Sequence, residues 1–140
     1  FADVLEHLRS PDKILLKIKN LLSPKGYILI SLPNVAHWSV RRNLLMGKFH
    51  CQEIGLMDKT HLHFYTLDSF KELLGNAGYT IVKWEPISNY NWFDFTFLWA
   101  KPLYMIKFTG NLMNKLDKML SRLFPKLFGY QFVFKIKPIG

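Results

Sequence analysis

The sequence has little cysteine, little acidic charge and no long apolar run. Cys51 is the only cysteine, which excludes an internal disulfide and a multi-thiolate zinc site. Nothing around it marks it as a nucleophile, so we interpret it as an ordinary thiol. The longest apolar stretch, residues 92–108, contains three charged residues and a proline and is too short and too charged to span a bilayer. No targeting signal is visible in these residues, and the expectation is a cytoplasmic location.

The charge is strongly asymmetric along the chain. The 140 residues carry 19 Lys and Arg against 10 Asp and Glu, for a net charge of +9. Residues 91–140 hold eight of the basic residues, two of the acidic ones and 12 of the 22 aromatics. A basic, aromatic half favours an anionic partner such as a membrane surface or a lipid-linked substrate. Solvated lysines around an ordinary core are the alternative. No RNA-binding signature is present, so a nucleic-acid partner is not expected.

The order of elements predicts an α/β domain. Ser10-Pro11 starts a helix, and the apolar run 27–32 predicts a strand buried on both faces, as in a parallel sheet. Thr66 caps a helix that Gly78 closes. An amphipathic helix over 111–124 carries a Met-Leu face. The sequence therefore predicts strands at 27–33, 79–86 and 130–137, with helices between them and a long loop over 48–66.

Two segments resemble a known family. Asp3-Val4-Leu5-Glu6-His7-Leu8 and Leu22-Ser23-Pro24-Lys25-Gly26, the latter running into the strand that ends at Pro33-Asn34, are similar to the later half of class I S-adenosylmethionine-dependent methyltransferases. In that family an "LEH" follows the fourth strand and "L-x-P-G-G" precedes the fifth; Lys25 replaces the first glycine. Asp58-Lys59-Thr60-His61-Leu62-His63-Phe64-Tyr65-Thr66, followed by F-x-E-L-L-x-x-A-G-Y, resembles the bacterial branch associated with polysaccharide or lipid modification.

The resemblance implies a partial Rossmann-like three-layer sandwich, whose last strand runs antiparallel between the other two. It implies the later part of the core at 1–90, a helical insertion at 91–128 and a terminal core strand at 129–140. It further implies methyl transfer from S-adenosylmethionine to oxygen of a glycan, a lipid-linked intermediate or a small metabolite. The family's glycine-rich cofactor loop has no counterpart among these residues, so we expect a fragment that is inactive alone.

The resemblance also implies a site at the end of the first strand. There, Ala2 and Asp3 are candidate cofactor contacts. The spacing D-x-x-E-H resembles the E-x-x-E-H of Mg²⁺-dependent methyltransferases. In the small-RNA members of that group a further histidine completes the site. This predicts a Mg²⁺ site formed by Asp3, Glu6, His7 and His61. His7 or His61 is also a candidate general base. The alternative is that Glu6 and His7 cap the next helix or bond to loop backbone.

A second set of candidates follows the strand that ends at Pro33-Asn34. His37, Arg41 and Arg42 are candidates for gripping an anionic part of the acceptor; solvated arginines are the alternative. A rival hypothesis for the whole chain is a non-catalytic methyltransferase-like domain. Such a domain would bind a partner, or an anionic membrane at the inner face, through the basic half. The acceptor and the oligomeric state do not follow from the sequence.

Overall fold

The computed structural model describes residues 1–88 and 107–139 of the chain, with side chains in the second range described from residue 114 onward. A short 3₁₀ turn at Leu5–His7 comes first. The helices are α1 (Pro11–Lys19), α2 (Trp38–Leu45), α3 (Leu67–Asn76), α4 (Lys107–Leu123) and α5 (Pro125–Phe128), and the strands are β1 (Ile28–Pro33), β2 (Tyr79–Ile87) and β3 (Gln131–Pro138).

The three strands form one sheet in the order β1-β3-β2, with β3 antiparallel to both neighbours. Pro33 and Ile87, the last residues of β1 and β2, both pair with Gln131 at the start of β3. The predicted mixed α/β fold, with an antiparallel last strand in the middle, is confirmed. The predicted strand bounds agree to within a residue or so.

The core lies between the sheet and the helices α1 and α3. Every second residue of β3 is buried, because side chains alternate between the two faces of a strand. Burial of these apolar groups is the main force that holds the helices on the sheet. The fully buried apolar side chains in this layer are Leu5, Leu15, Ile30, Leu32, Phe70, Leu74, Phe132, Phe134 and Ile136.

One expectation about β1 is wrong. The apolar run 27–32 predicted burial on both faces, but Tyr27 and Leu29 are each 53% exposed. Ile28 and Ile30 face the core, while Leu29 points to the other face, which no described helix covers there. The aromatic ring of Tyr27 instead lies 4.0 Å from the ammonium of Lys135, a cation–π contact.

Local sequence signals set the helix ends. Ser10 is the N-cap residue of α1 and Pro11 its first residue, as predicted, although the Ser10 side chain makes no capping hydrogen bond. Thr66 and Ser69 form a reciprocal capping box at the start of α3. Gly78 ends the turn after α3 with φ of 75°, a left-handed conformation that glycine adopts without strain.

Hydrogen bonds join the residues just before β3 to the residue that follows β1. Asn34, fully buried just after β1, donates from Nδ2 to the carbonyl of Gly129 at 2.8 Å. Its own backbone N–H donates to the carbonyl of Tyr130 at 2.9 Å. These bonds fix α5 above the ends of β1 and β2.

Helix α4 leaves part of its Met-Leu face exposed among the side chains described from residue 114 onward. Met119 is 48% exposed and Leu123 63% exposed, whereas Asp117 and Ser121 are almost fully buried. Residues 91–106 of the predicted helical insertion at 91–128 lie outside the described residues, and the domain division there stays a prediction. Within the described ranges no helix is both long and apolar enough to cross a membrane.

Candidate active site

The first residues run beside β1 as the end of a parallel strand. Ala2 forms a parallel bridge with Ser31, and the backbone N–H of Ser31 donates to the carbonyl of Phe1 at 2.8 Å. Asp3 then adopts φ of 51°, which is uncommon for a residue with a side chain. This bend turns the chain away from the sheet and into the 3₁₀ turn at Leu5–His7. The turn therefore lies at the carboxyl edge of the sheet, where α/β proteins bind ligands.

A distant loop is held against this turn by its backbone. The N–H groups of Leu62 and His63 both donate to the carbonyl oxygen of Glu6, at 2.8 and 3.0 Å. Two hydrogen bonds to one acceptor fix the loop in register with the turn. As a result, His61 lies beside His7, and their ring centroids are 4.8 Å apart in an edge-to-face arrangement.

Three potential metal ligands converge here. One ligand atom from each of Glu6, His7 and His61 lies within 4.8 Å of the others. Such separations bring the three atoms within reach of one cation after small side-chain adjustments. The sequence predicted all three residues, and the structure brings them together.

The carboxylate of Glu6 is fully buried, and neither of its oxygens has a hydrogen-bond partner among the described residues. Burial raises the pKa of Glu6, and Asp3 adds a smaller repulsive contribution in the same direction, against the opposing electrostatic effects of the residue's own backbone amide and of His7. An unpaired buried carboxylate is costly unless a cation or proton compensates it. A cation bound between Glu6 and the two imidazoles would supply that compensation.

The ring of His7 is oriented by Thr60. Its Nδ1 atom lies 3.2 Å from the carbonyl oxygen and 3.2 Å from the hydroxyl of Thr60. Thr60 is in turn fixed by Asp58, which accepts from both its backbone N–H and its hydroxyl at 2.7 Å. A carbonyl oxygen can only accept, so the first contact requires a proton on Nδ1 and leaves the Nε2 lone pair of neutral His7 available to a ligand.

His61 is suited to the same role. Burial lowers the pKa of His61, and the neighbouring His7 adds to that effect, while Asp58 partly opposes it. The imidazole is therefore neutral near pH 7, which is the form that binds metals or accepts a proton. Its Nδ1 is buried and has no hydrogen-bond partner within the described part of the chain.

Asp3, the fourth predicted ligand, is not in this group. Its carboxylate accepts from the hydroxyl of Ser31 and from the side-chain amide of Gln131, each at 3.0 Å. These bonds join the first strand to β1 and β3 and hold the bend at Asp3. Ala2 and Asp3 nevertheless lie at the sheet edge where a cofactor contact was predicted, and that role stays a prediction.

The three residues predicted to contact the methyl acceptor, His37, Arg41 and Arg42, each interact with other groups of the protein. His37 is the N-cap residue of α2, where its Nδ1 lies 2.8 Å from the hydroxyl of Ser39. Burial lowers the pKa of His37 to about 4, so the ring is neutral at pH 7 and offers no charge to an anion. The Nε of Arg41 donates to the carbonyl of Ala36 at 2.6 Å. The guanidinium of Arg42 lies 5.4 Å from the centre of the Trp38 ring.

His63 lies apart from the three-residue cluster. Its ring stacks on Tyr65 with centroids 6.0 Å apart. Both rings line a separate open cleft of about 360 Å³ between α1 and α3. Of the two histidines in the H-x-H segment, only His61 therefore contributes to the cluster.

The comparison with protein families decides the assignment. The family model described as "Methyltransferase domain" matches residues 1–83. This range includes every member of the cluster. The chain belongs to this methyltransferase family. The predicted similarity to class I S-adenosylmethionine-dependent methyltransferases is thereby confirmed at the level of the family. No curated protein matches the chain.

Similarity to a solved structure supports the same fold. The small RNA methyltransferase HEN1 is 12% identical, with a TM-score of 0.55 over 99% of this chain. The cyclase SpnF is 17% identical, with a TM-score of 0.47 over 99% of this chain. The chain spans 13% of the HEN1 chain and 48% of the SpnF chain. The chain therefore spans less than half of the length of either protein.

Sequence reasoning missed the residues that support the cluster. Thr60 and Asp58 lie in the segment that resembles the family motif, but the sequence indicates no role for either. The D-x-T pattern just before His61 was a usable signal. It is typical of a turn in which the Asp side chain accepts a hydrogen bond from the backbone N–H two residues later.

Proposed function

We propose that this chain forms the part of an S-adenosylmethionine-dependent O-methyltransferase that binds the methyl acceptor. In this proposal Glu6, His7 and His61 hold a divalent cation. Membership of the methyltransferase family supports the reaction class. The observation that carries the proposal is the convergence of one carboxylate and two imidazoles at the carboxyl edge of the sheet. The resemblance on which Asp58 to Thr66 were matched supports a glycan, a lipid-linked intermediate or a small metabolite as the acceptor.

The donor set favours some cations over others. Two imidazole nitrogens and one carboxylate oxygen suit Mn²⁺, Co²⁺ or Zn²⁺ better than Mg²⁺, which prefers oxygen ligands and bound water. Mg²⁺, the ion expected from the family, fits this set least well. A cation at this position would lower the pKa of an acceptor hydroxyl bound to it.

The chain's own groups supply the rest of the chemistry. Methyl transfer to oxygen forms an O–C bond, breaks an S–C bond and releases the hydroxyl proton, which needs an acceptor. A histidine that binds the cation through its lone pair cannot also take this proton. When no cation is bound, His61, which is neutral near pH 7, is our proposed general base, with His7 as the alternative. Thr60 orients the His7 ring through its carbonyl and hydroxyl oxygens.

A non-catalytic role is the second candidate. Met119, Leu123 and Phe124 are 48 to 63% exposed on and after α4, and basic residues lie among them in the sequence. An exposed apolar surface with basic neighbours suits a partner or an anionic membrane. A methyltransferase-like domain without activity would use that surface alone.

Calorimetric titration of the longest natural protein that contains these residues separates the two candidates. The enzyme hypothesis predicts saturable binding of S-adenosylmethionine and of S-adenosylhomocysteine, the product left after transfer. No binding of either compound, by a protein shown to be folded, would favour the non-catalytic domain. A Glu6→Gln variant that retains cofactor binding and loses methyl transfer would connect the cluster to the reaction.

A further inference from the structure

The end of α2 and the loop after it expose an unusual amount of apolar surface. Leu45 is 89% exposed and Ile54 is 83% exposed. Scattered single apolar residues on a surface are ordinary, whereas a cluster of them is typical of an interaction site. The large apolar side chains exposed between residues 44 and 54 are Leu44, Leu45, Met46, Phe49 and Ile54.

This apolar segment has basic residues around it and lacks acidic ones. Residues 36–52 contain Arg41, Arg42 and Lys48 and no Asp or Glu. The first acidic side chain beyond them, Glu53, is paired with Lys59 at 2.6 Å. The segment therefore combines exposed apolar side chains with basic side chains that have no acidic residue near them in the sequence.

The segment also lies at the same edge of the sheet as the candidate active site. Helix α2 begins shortly after Pro33, the last residue of β1. The loop then returns through a bridge between Gln52 and Asp58. Asp58 binds Thr60, which orients His7. A short chain of contacts thus links the apolar surface to the cluster.

We propose that residues 41–54 dock on an anionic lipid bilayer, with Leu45, Phe49 and Ile54 entering the interface. Basic side chains beside exposed apolar side chains fit a negatively charged membrane surface. The surface attracts the basic groups, and the apolar groups leave water. A second copy of the chain fits poorly, because a two-fold contact would bring the same cations of both copies together. The proposal does not depend on catalysis, since a non-catalytic domain could bind the bilayer by the same surface.

The single cysteine provides the test. Cys51 is exposed and lies between Phe49 and Ile54, so an environment-sensitive nitrobenzoxadiazole label reports on this segment alone. The labelled chain is mixed with vesicles of phosphatidylcholine, with or without phosphatidylglycerol. A control chain carries Cys51→Ser and Ser23→Cys, which moves the label to the exposed turn before β1, at the opposite edge of the sheet.

The expected result is a blue-shifted, brighter emission with the anionic vesicles only, and only from the label at Cys51. Leu45→Ser should weaken vesicle partition roughly tenfold or more, because a leucine side chain leaving water contributes at least that factor. The matched variant Leu21→Ser, at a leucine 82% exposed after α1, should leave partition unchanged. Lys48→Glu should weaken it as well, and Lys25→Glu should not.

Three outcomes would overturn the proposal. The first is emission from Cys51 that does not respond to anionic vesicles. The second is an equal response from the label at position 23, which indicates adsorption without orientation. The third is a spectral shift that grows with protein concentration in the absence of vesicles, which assigns the surface to a second copy of the chain. Circular dichroism of every variant checks that the fold is retained.

Discussion

The Nδ1 atom of His7 lies 3.2 Å from the carbonyl oxygen of Thr60, a residue 53 positions later in the chain. The contact fixes the orientation of the imidazole and, because a carbonyl cannot donate, also places a proton on Nδ1. The opposite nitrogen is then free to bind a cation or accept a proton. Metal-binding histidines are commonly oriented in this way by a backbone carbonyl.

Replacement of Asp58 tests this support. Asp58 is not a member of the cluster, but its carboxylate holds both the N–H and the hydroxyl of Thr60. We expect Asp58→Ala to weaken Mn²⁺ binding by about 10- to 100-fold, as for other residues that orient metal ligands, with little change in melting temperature. Asp68→Ala is the matched control, since Asp68 is exposed and pairs with Lys126. Equal losses in the two variants would contradict the proposed role of Asp58.

Two glycine-to-alanine changes should act in opposite directions. A Cβ atom at Gly129 would lie 2.6 Å from the carbonyl oxygen of Pro125 and 2.9 Å from the ring of Phe132. Gly129→Ala should therefore lower the free energy of unfolding by about 1–3 kcal/mol, the usual cost of overpacking. Gly75 lies in α3, where a Cβ atom would meet open space, so Gly75→Ala should raise it by up to about 1 kcal/mol. Urea unfolding measures both, and a stabilising Gly129→Ala would refute the packing described at α5.

Asp117 makes stability depend on pH. Burial raises its pKa to about 6 from an ordinary 3.8, and a hydrogen bond with Ser88 only partly offsets this. The folded state then binds the proton more tightly than the unfolded state. Its contribution to stability is full below about pH 3.8 and is lost as the pH rises through about 6.

Asp117→Asn should remove this dependence. At pH 8 the variant should be more stable than the parent by about 1–3 kcal/mol, and the difference should shrink towards pH 4. Glu72→Gln, at an exposed position on α3, should show no such trend. The check is urea unfolding at several pH values, and a variant that is less stable than the parent at pH 8 would contradict the assignment.

The 140 residues should bind S-adenosylmethionine poorly. None of the eight glycines occurs in a G-x-G arrangement, so the close backbone approach that such a loop offers a nucleotide cofactor is missing. We expect affinity weaker than about micromolar in calorimetry. Tight, saturable binding by these residues alone would show that other groups hold the cofactor.

Local patterns were sufficient to predict most of the fold. The capping signal at Thr66 and the strand pattern at 130–137 depend on neighbouring residues only, and the elements they predict are confirmed. The exposure of Leu29 could not be predicted, because burial on the second face depends on whether a helix packs there. The burial of Asp117 was missed for a related reason, since an apolar stripe on α4 does not determine which face of the helix meets β2.

The candidate site was also predicted only in part. Glu6 and His7 are adjacent in sequence, and His61 was matched to them through the family resemblance. The exclusion of Asp3 follows from its bonds to Ser31 and Gln131, a residue pair that only the folded sheet brings together. The capping role of His37 was also missed, because it depends on the exact start of α2.

Electron paramagnetic resonance of Mn²⁺ titrated into the chain tests the central claim most directly, since it counts free ions without requiring cofactor or acceptor. The account predicts one bound Mn²⁺ per chain, lost in Glu6→Gln and in His61→Ala and retained in His63→Ala, whose ring lies outside the cluster. Binding that is absent in the parent chain, or unchanged in Glu6→Gln, would contradict a cation site at Glu6, His7 and His61.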